Sequence, residues 1–326
     1  MAPPAPSPNH PYAGMVTLVT GGNAGVGFEY AATMARGGAT VVLACRSPER
    51  GAAAVAALQR EVATTVDGGN GGGGGGDRGG GSVELLPLDT SDLTSVAACA
   101  AAFTARHRRL DVLMNNAGGM MLPWRLTGDG VEITTATNFL GHYALTGRLW
   151  GVLSATPGAR VVNVSSMVHA LALRVDWDDM ALGGPGHSVS WAYARSKLFN
   201  LLFTAELARR VAAAPPDDRT GGRVMAVAAQ PGFARTGLLG KAAVNGWSAF
   251  CRATWGWASH SAAAGADCLT AAALAEWVTP GTYVSPLWGG IRGRPSVGWP
   301  SPAARSVEGA RRLWEWAEGV SGVRFL

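Results

Sequence analysis

A tyrosine and a lysine four residues apart could form an acid–base pair. Tyr193 and Lys197 lie in a segment whose pattern predicts a helix, so their side chains share one face, one turn apart. An ammonium group near a phenol favours the phenolate, which brings a pKa that is ordinarily about 10 closer to neutral pH. Tyr193 is therefore a candidate general acid or base. An exposed helix face with the same spacing is the alternative interpretation.

Two serines precede this helix and support the interpretation of Tyr193 as a catalytic group. The apolar run that ends at Val164 predicts a buried strand, and Ser165 and Ser166 follow it directly. Open α/β sheets bind their ligands at the carboxyl ends of parallel strands. The sequence therefore places these hydroxyls at a ligand-binding edge.

A glycine-rich turn, Thr20–Gly27, lies between a predicted strand and a predicted helix. Backbone N–H groups and the helix dipole at such a turn can hold a pyrophosphate, and glycine permits the close approach of the phosphate. An ordinary strand-to-helix turn is the alternative for the motif alone. The residues assigned to this cofactor turn are Gly21, Asn23, Gly25, Val26 and Gly27.

Arg46 follows the second predicted strand, where dinucleotide-binding sheets select their cofactor. NAD enzymes usually present a carboxylate there to the ribose 2′-hydroxyl. This sequence has Ala44-Cys45-Arg46 instead, and a guanidinium can bind a 2′-phosphate through paired charge-assisted hydrogen bonds. We therefore expect NADP in preference to NAD. A solvated arginine at a strand end is the alternative.

Strands and helices alternate along the chain up to Ala229. A strand, the glycine turn, a helix and a second strand form a βαβ unit, which implies a parallel sheet with helices on both faces. The whole pattern predicts an α/β fold, a single-domain doubly wound (Rossmann) sheet of six or seven strands. The predicted strands are Met15–Thr20, Ala39–Ala44, Val83–Leu88, Val112–Asn115, Arg160–Ser165 and Val224–Ala229, and the predicted helices are Phe28–Arg36, Glu49–Val62, Leu93–Arg106, Thr134–Val152 and Trp191–Arg210.

We assign residues 14–326 to one domain, preceded by a Pro-rich extension at residues 1–13. Residues 68–81 include eleven glycines and predict a flexible surface insertion, because such a run has no side chains to pack. The alternation becomes irregular after Pro231, in a part that holds eight of the twelve tryptophans. Residues 237–326 are therefore assigned to a substrate flap and C-terminal region.

The composition excludes several classes of protein. Hydrophobic residues make up 48% and charged residues 15%, as in ordered globular proteins. The net charge of +5 comes from scattered arginines without a basic stripe, so we expect no nucleic-acid partner. We also expect no secretory signal and no membrane-spanning segment, and therefore a cytoplasmic protein, with targeting to an organelle as the alternative. Four widely spaced cysteines predict neither a metal site nor a disulfide framework, and they are Cys45, Cys99, Cys251 and Cys268.

Eight motifs follow one another along residues 14–239. They are TGGNAGVG (20–27), LACR (43–46), LD (88–89), NNAG (115–118), TNFLGHYALT (137–146), RVVNVSS (160–166), YARSKLFNLLFTAELARR (193–210) and QPGFARTGL (230–238). In this order they resemble the short-chain dehydrogenase/reductase superfamily, and within it the branch of retinol dehydrogenases and protochlorophyllide reductases. The resemblance implies an enzyme that moves a hydride between a nicotinamide and a carbonyl or alcohol.

The resemblance also implies roles for single residues. Tyr193 would donate or accept the proton, and Lys197 would lower its pKa and hold the nicotinamide ribose. Ser166, in preference to Ser165, would hydrogen-bond the substrate oxygen. Asn138 would anchor a water of the proton relay, unless its amide only caps a helix or satisfies the core. For the cofactor, the resemblance implies Asp89 at the adenine, Asn116, Ala117 and Gly118 along the adenosine side, and Pro231, Gly232 and Thr236 at the nicotinamide end.

Aromatic residues after Thr236 point to an apolar substrate. The family usually carries its substrate flap there, and aromatic walls favour a lipid-like aldehyde, ketone or isoprenoid. A helix that packs an aromatic stripe into the core is the alternative. The residues concerned are Trp247, Phe250, Trp255 and Trp257.

Other functions remain as alternatives to an enzyme. One is a non-catalytic NADP-binding regulatory or scaffold protein, although a binding module needs no Ser166, Tyr193 and Lys197. Another is a peripheral membrane protein that docks through its tryptophan-rich end. The chain departs from the family at Gln230, where this branch often has His, and in its glycine insertion. The family commonly forms dimers or tetramers, so we expect a homodimer or homotetramer.

Overall fold

An eight-stranded sheet runs through the part of the chain that the computed structural model describes, which is residues 7–8, 10–67, 81–180, 188–215, 223–233 and 260–326. The order across the sheet is β3-β2-β1-β4-β5-β6-β7-β8, with β1 to β7 parallel and β8 antiparallel to β7. The predicted doubly wound α/β fold is confirmed. The strands are β1 (Val16–Thr20), β2 (Thr40–Cys45), β3 (Val83–Pro87), β4 (Val112–Asn115), β5 (Arg160–Val164), β6 (Met225–Ala229), β7 (Tyr283–Trp288) and β8 (Arg292–Val297).

Helices connect the strands and cover both faces of the sheet. A π-helical segment, Ala136–Leu140, lies between α4 and α5, and short 3₁₀ helices occupy Met167–Leu171 and Ala303–Arg305. The α-helices of the described ranges are α1 (Gly25–Arg36), α2 (Pro48–Asp67), α3 (Leu93–Arg106), α4 (Ile133–Thr135), α5 (Gly141–Arg148), α6 (Trp150–Ser154), α7 (Val189–Ala213), α8 (Ala262–Leu274) and α9 (Val307–Ser321).

Strand β2 shows how the sheet divides the core into two layers. Val41 and Leu43 pack into the layer that holds α1, α2 and α8, whereas Val42 and Ala44 pack into the layer of α3, α5, α7 and α9. Because both faces are covered, the central strands are almost continuously apolar. The loops at their carboxyl ends therefore emerge from a rigid, double-sided core.

The segment predicted as one helix, Thr134–Val152, is instead broken into four pieces. The π-helical segment interrupts it, and α5 ends at Arg148 before α6 begins. Gly141 passes so close to the loop after β3 that an added Cβ would overlap with the Thr90 carbonyl. A π-helical turn contains about one residue more than an α-helical turn. The spacing of hydrophobic residues does not reveal this difference, so the sequence pattern could not predict the break.

The described residues 260–326 form regular helices and strands, contrary to the prediction of an irregular region. They contain α8, the β7–β8 pair and α9. Pro286 and Pro295 face each other in the pair, and prolines within a short run argue against a strand. Pro286 is tolerated because β6 pairs with β7 only at Tyr283 and Val284, so this proline lies beyond the shared ladder, and Pro295 lies on β8, the edge strand of the sheet.

The structure describes the last residue of the predicted glycine insertion, Gly81, and the end of the predicted N-terminal extension. Residues 68–80 lie outside the described residues, but Gly81 packs against the backbone of Ala35 and Ala39. Tyr12, at the end of the predicted extension, donates its N–H to the Gly37 carbonyl at 2.8 Å. The chain is therefore packed onto the end of α1 before β1 begins.

The cysteines and the helices bear on two further expectations. Cys45, Cys99 and Cys268 are free thiols buried in the core, and Cys251 lies outside the described residues. Within the described ranges, every helix is too short or too polar to cross a membrane.

Candidate active site

The carboxyl ends of the central strands bring the predicted functional segments to one edge of the sheet. β1 ends at Thr20, just before the glycine turn, and β4 ends at Asn115, just before Asn116. β5 ends at Val164, just before the two serines, and β6 ends at Ala229. The chain leaves β1 towards β2, while β4 lies on the other side of β1, so a crevice opens between β1 and β4.

The glycine turn packs tightly against the loop after β4. Gly21 has φ +66° and Gly25 has φ +61°, a backbone region that strains residues with a side chain. An added Cβ on Gly21 would lie 2.9 Å from Cα of Ala117, and one on Gly27 would overlap with the Asn116 amide. The turn therefore needs glycine both for its backbone shape and for its contact with this loop.

The first turn of α1 leaves its backbone donors open. Ala24 at the N-cap forms no side-chain hydrogen bond to the helix, and the first turn holds no acidic residue. The first N–H groups of a helix lack partners within the helix, and the dipole makes this end attractive to anions. This helix end can therefore accept a phosphate.

A buried histidine connects the glycine turn to the π-helical segment. Oγ1 of Thr20 accepts hydrogen bonds from the N–H groups of Asn116 and Ala117, each at 2.9 Å. Nε2 of His142 lies 2.9 Å from the same Thr20 oxygen, and its Nδ1 lies 3.1 Å from the Asn138 carbonyl. Because a carbonyl can only accept, Nδ1 carries the proton and Nε2 accepts from the Thr20 hydroxyl.

Burial keeps His142 neutral. It lowers the pKa of His142 to about 4, and the charge of Lys197 acts in the same direction. The Met114 carbonyl is a more distant acceptor for the Thr20 hydroxyl, at 3.3 Å. His142 lies within the motif TNFLGHYALT, but neither its spacing nor the family resemblance predicted a role for it. The available signal was a lone imidazole in an otherwise apolar helix.

The two serines after β5 have different surroundings. Oγ of Ser165 is buried and donates to the Lys197 carbonyl at 2.8 Å. The hydroxyl of Ser166 is close enough to that of Tyr193 to act on the tyrosine pKa, and its Oγ accepts from the Val168 N–H at 3.5 Å. Ser165 is thus engaged with the backbone, whereas Ser166 faces the tyrosine.

Burial dominates the acid–base properties of Tyr193 and Lys197. It raises the pKa of Tyr193 to about 12, and the neighbouring Ser166 hydroxyl acts in the opposite direction. It lowers the pKa of Lys197 to about 8. The Lys197 ammonium lies 5.7 Å from the centre of the Tyr193 ring and donates to the Val164 carbonyl at 3.0 Å. We expected the ammonium to lower the pKa of Tyr193. In the structure, desolvation by burial has the larger effect, so the pKa of Tyr193 is raised instead.

Asn138 lies in the π-helical segment, beside this pair. Its Nδ2 donates to the Gly119 carbonyl at 3.0 Å and to Oγ of Ser196 at 2.9 Å, while its Oδ1 accepts from the Gly119 N–H at 2.8 Å. An added Cβ on Gly118 would lie 3.3 Å from this Oδ1 and 3.5 Å from Nζ of Lys197. The side chain thus positions the loop after β4, and its role as a water anchor stays a prediction.

Arg46 and Asp89 meet at the other end of the crevice. A guanidinium nitrogen of Arg46 lies 4.0 Å from a carboxylate oxygen of Asp89, and two-thirds of the arginine side chain is exposed. Asp89 also accepts from the N–H and hydroxyl of Ser91 at 3.0 and 2.7 Å. Gly21 donates its N–H to the Ala44 carbonyl at 2.8 Å, so the end of β2 adjoins the glycine turn.

The turn after β6 is held by the β7–β8 hairpin. Gly232 has φ +69°, and an added Cβ there would overlap with the Ile291 carbonyl. Phe233 donates its N–H to the same carbonyl at 3.0 Å, and Nε2 of Gln230 donates to the Gly290 carbonyl at 3.3 Å. Pro231 and Gly232 are therefore held by the β7–β8 hairpin, which lies in the region predicted to be irregular. Thr236 and the four aromatic residues of the predicted flap lie outside the described residues.

A second histidine without a predicted role follows the serines. His169 lies in the 3₁₀ helix that Ser166 caps, and only 3% of it is exposed. Its ring contacts the backbone of Ser166 on one side and that of Ser301 on the other. The only sequence signal for it is its spacing of three residues from Ser166.

Comparison with known proteins gives a family match. The model of the short chain dehydrogenase family matches residues 15–69 and 76–176. Retinol dehydrogenase 12 from Bos taurus is 34% identical over 319 residues, which cover 96% of this chain and 88% of the relative. Retinol dehydrogenase 11 from Homo sapiens is 35% identical over 309 residues, which cover 93% of this chain and 84% of the relative.

A solved structure extends this similarity to the fold. The crystal structure of an uncharacterized protein from Mycobacterium paratuberculosis has a TM-score of 0.74 and 34% sequence identity. The match covers 97% of this chain and 96% of that chain. It therefore includes the C-terminal region, which the family model does not reach.

Proposed function

This chain belongs to the short chain dehydrogenase family, in its retinol dehydrogenase-like branch, and on that premise we propose that it is an NADP-dependent oxidoreductase of apolar carbonyl compounds or alcohols. Its family makes it an NAD(P)-dependent oxidoreductase that acts on CH–OH or C=O groups. The observation that carries the proposal is the Lys197 ammonium beside the ring of Tyr193, whose hydroxyl is close enough to that of Ser166 for the serine to lower its pKa. This arrangement supports proton transfer at a substrate oxygen.

The residues at the crevice fit a dinucleotide. The open N–H groups at the start of α1 and the glycine turn suit a pyrophosphate, since side chains there would fill the space that it needs. Within the described residues the Lys197 ammonium makes one hydrogen bond, to the Val164 carbonyl, so two of its three N–H donors remain for ribose hydroxyls. Gly118 leaves open the space beside that ammonium. Nicotinamide, when bound, supplies or accepts the hydride.

Arg46 supports NADP over NAD. Its guanidinium is largely exposed, beside the glycine turn, and it faces Asp89 only at the 4.0 Å limit of an ion pair. It can therefore turn towards a 2′-phosphate and form paired hydrogen bonds to it. Asp89 would hold the guanidinium on this side of the crevice and lie near the adenine. Asn116, Ala117 and Gly118 would line the adenosine side of the cofactor, with Pro231, Gly232 and Thr236 at the nicotinamide end.

Ser166 and Tyr193 would act together on the substrate oxygen. Oγ of Ser166 accepts from the Val168 N–H, which leaves its own proton free to point towards Tyr193 or the substrate oxygen. In reduction, Tyr193 gives its proton to that oxygen as negative charge develops on it, and in oxidation it takes the proton back. With a pKa of about 12 the phenol is protonated at neutral pH, which suits the direction of reduction.

Lys197 would stabilise the phenolate that remains after proton transfer. Its pKa of about 8 keeps most of the ammonium protonated at neutral pH, and its position over the tyrosine ring places positive charge next to the developing anion. Asn138 would position the loop that contains Gly118 and Gly119 and would anchor a water that continues the proton relay from Lys197. We also infer that residues 14–326 form one catalytic domain, since β7 and β8 continue the sheet begun by β1.

The relatives support an apolar substrate. Two of them are named as retinol dehydrogenases, and retinol is an apolar isoprenoid alcohol. The aromatic residues of the predicted flap would supply the apolar walls. We therefore propose lipid-like aldehydes, ketones or isoprenoids as the substrate class.

A panel of carbonyl compounds tests this function. Long-chain aldehydes, apolar ketones and retinal should oxidise NADPH, measured by absorbance, faster than short polar aldehydes do. Tyr193→Phe should lower kcat by about 10²- to 10⁴-fold and keep NADPH binding, measured by nucleotide fluorescence. Tyr12→Phe, on the segment before β1, is the matched control. Full activity in Tyr193→Phe would contradict the mechanism, and NADPH binding without turnover across the panel would favour a non-catalytic binding protein.

A further inference from the structure

We propose that His169 is a positioning residue that fixes Ser166 and couples it to the C-terminal segment at residues 300–302. This inference rests on the proposed function, in which Ser166 orients the substrate oxygen. It assigns a role to a buried imidazole that the proposed proton transfer does not use directly.

His169 holds the backbone of Ser166 by two hydrogen bonds. Its ring Nδ1 lies 2.7 Å from the Ser166 carbonyl, and its own backbone N–H donates to the same oxygen at 3.1 Å. On the other side of the ring, Nε2 lies 3.1 Å from the backbone nitrogen of Ser301. The imidazole therefore bridges two backbone segments.

These partners determine one state of the ring. The Ser166 carbonyl can only accept, so Nδ1 carries a proton, and the Ser301 N–H can only donate, so Nε2 has none. Burial lowers the pKa of His169, which also favours the neutral form. The edge-to-face contact with Tyr283 of β7, with ring centroids 5.6 Å apart, restricts the remaining ring rotation. His169 is thus held as a neutral Nδ1–H tautomer.

Fixing the Ser166 carbonyl also orients its side chain. Ser166 has an extended backbone and caps the 3₁₀ helix that His169 belongs to. A rotation of its backbone would move Oγ away from Tyr193 and from the Val168 N–H. Catalytic hydrogen bonds depend on positions that are accurate to a fraction of an ångström, so a side chain that fixes this backbone affects the rate without touching the substrate.

The C-terminal partner is rigid and specific. Pro300 and Pro302 have no N–H, so Ser301 provides the one backbone donor in this stretch. The Ser301 carbonyl accepts from the Ala304 N–H at 3.0 Å, which closes a turn after it. The two prolines restrict the backbone on either side of Ser301, so its N–H is held in an orientation that points towards Nε2 of His169.

The contribution of the ring itself is tested by two substitutions. His169→Leu removes both ring hydrogen bonds, and kcat should fall roughly 10- to 100-fold, while KM for NADPH stays within about twofold because the glycine turn is untouched. His169→Asn can still donate to the Ser166 carbonyl and does not reach Ser301. It should therefore recover part of kcat, which a loss of packing alone would not predict.

The backbone donor is tested without changing the imidazole. Ser301→Pro removes the N–H, whereas Ser301→Ala keeps it and is the matched control. We expect Ser301→Pro to lower kcat to about the level of His169→Asn and Ser301→Ala to match the wild type. The double variant His169→Asn/Ser301→Pro should be no slower than either single variant, because both remove the same contact.

Nitrogen-15 NMR gives a readout that is independent of turnover. In the wild type, His142 and His169 should both show a protonated Nδ1 and an unprotonated Nε2, and the set of resonances that belongs to His169 should be absent from His169→Leu. In Ser301→Pro the Nε2 resonance of His169 should shift. These spectra need no substrate and can be recorded on every variant that folds.

The outcomes separate this inference from the proposed function. If the wild type turns over apolar carbonyls but Ser301→Pro and His169→Leu keep the wild-type kcat, His169 does not position Ser166. A parallel loss of kcat and NADPH affinity, with no recovery in His169→Asn, would show a purely structural role and also overturn the inference. If His169→Leu does not fold, the comparison of kcat between Ser301→Pro and Ser301→Ala tests the inference instead. Absence of turnover in the wild type would instead refute the proposed function, and this inference with it.

Discussion

The pH dependence of stability should reveal the buried imidazole of His142. This ring is 1% exposed and accepts from the Thr20 hydroxyl, and its pKa is lowered from 6.5 to about 4 by burial. An unfolded chain binds a proton at this histidine below about pH 6.5, whereas the native protein does not until about pH 4. The unfolded state therefore binds more protons between these values, and stability falls as the pH falls through this window.

The size of this effect follows from the two pKa values. The contribution of His142 is complete above its unfolded pKa. It should decrease by about 1.4 kcal/mol at pH 5.5 and by about 2.5 kcal/mol at pH 4.5. Below the native pKa the loss levels off, because both states are then protonated. Other groups also titrate in this range, so the comparison must isolate one ring.

The substitution His142→Gln isolates it. The variant should be less stable than the wild type at pH 7.5, because Thr20 and the Asn138 carbonyl lose well-placed partners. That difference should shrink by about 2.5 kcal/mol as the pH falls to 4.5. Urea unfolding, followed by tryptophan fluorescence at several pH values, measures it. His10→Gln, outside the buried polar network, is the matched control.

If the difference in free energy of unfolding between the wild type and His142→Gln stayed constant from pH 7.5 to 4.5, this reasoning would be refuted. That result would mean that the native imidazole can take up a proton as easily as the unfolded one. The chain of contacts from Thr20 through His142 to Asn138 would then not require a neutral ring.

Four further substitutions probe the cofactor site and the two serines. Arg46→Ala should lower kcat/KM with NADPH by about 10- to 100-fold and leave kcat/KM with NADH unchanged, and Arg36→Ala is the control. Equal losses with both cofactors would contradict a contact between Arg46 and the 2′-phosphate. Gly27→Ala should weaken NADPH binding, measured by fluorescence titration, because its Cβ overlaps with the loop after β4; wild-type affinity would show that this contact is not needed. Ser166→Ala should lower kcat by about 10²-fold, whereas Ser165→Ala should mainly lower the free energy of unfolding by about 1 kcal/mol; the reverse pattern would exchange their roles.

Local patterns were sufficient for the fold and for the position of most candidate residues. The alternation of apolar strands and helices predicted a parallel sheet, and it agrees with the structure from β1 to β6. Since all parallel strands end at the same edge, the segments after β1, β4, β5 and β6 had to meet there. The spacing of Tyr193 and Lys197 on one helix then placed both groups at the same crevice.

The parts that the sequence could not supply depend on contacts between distant segments. Pro286 and Pro295 argued against the β7–β8 pair, because local propensity does not show where a shared ladder ends. The π-helical turn at Asn138 has the same composition as an ordinary helix. The raised pKa of Tyr193 is a consequence of burial, which outweighs the nearby ammonium in a way that spacing alone does not show.

The two histidines show the division between sequence and tertiary structure. Types and spacing identify an imidazole, but its protonation state is decided by what lies at each ring nitrogen. Ser301 is 132 residues away from His169 in the chain, and Thr20 is 122 residues away from His142. The sequence by itself determined which groups could do chemistry and at which edge of the sheet they gather. Only the folded chain decided which of them are neutral, oriented and held, because those properties depend on desolvation and on hydrogen bonds between segments that have no local relation.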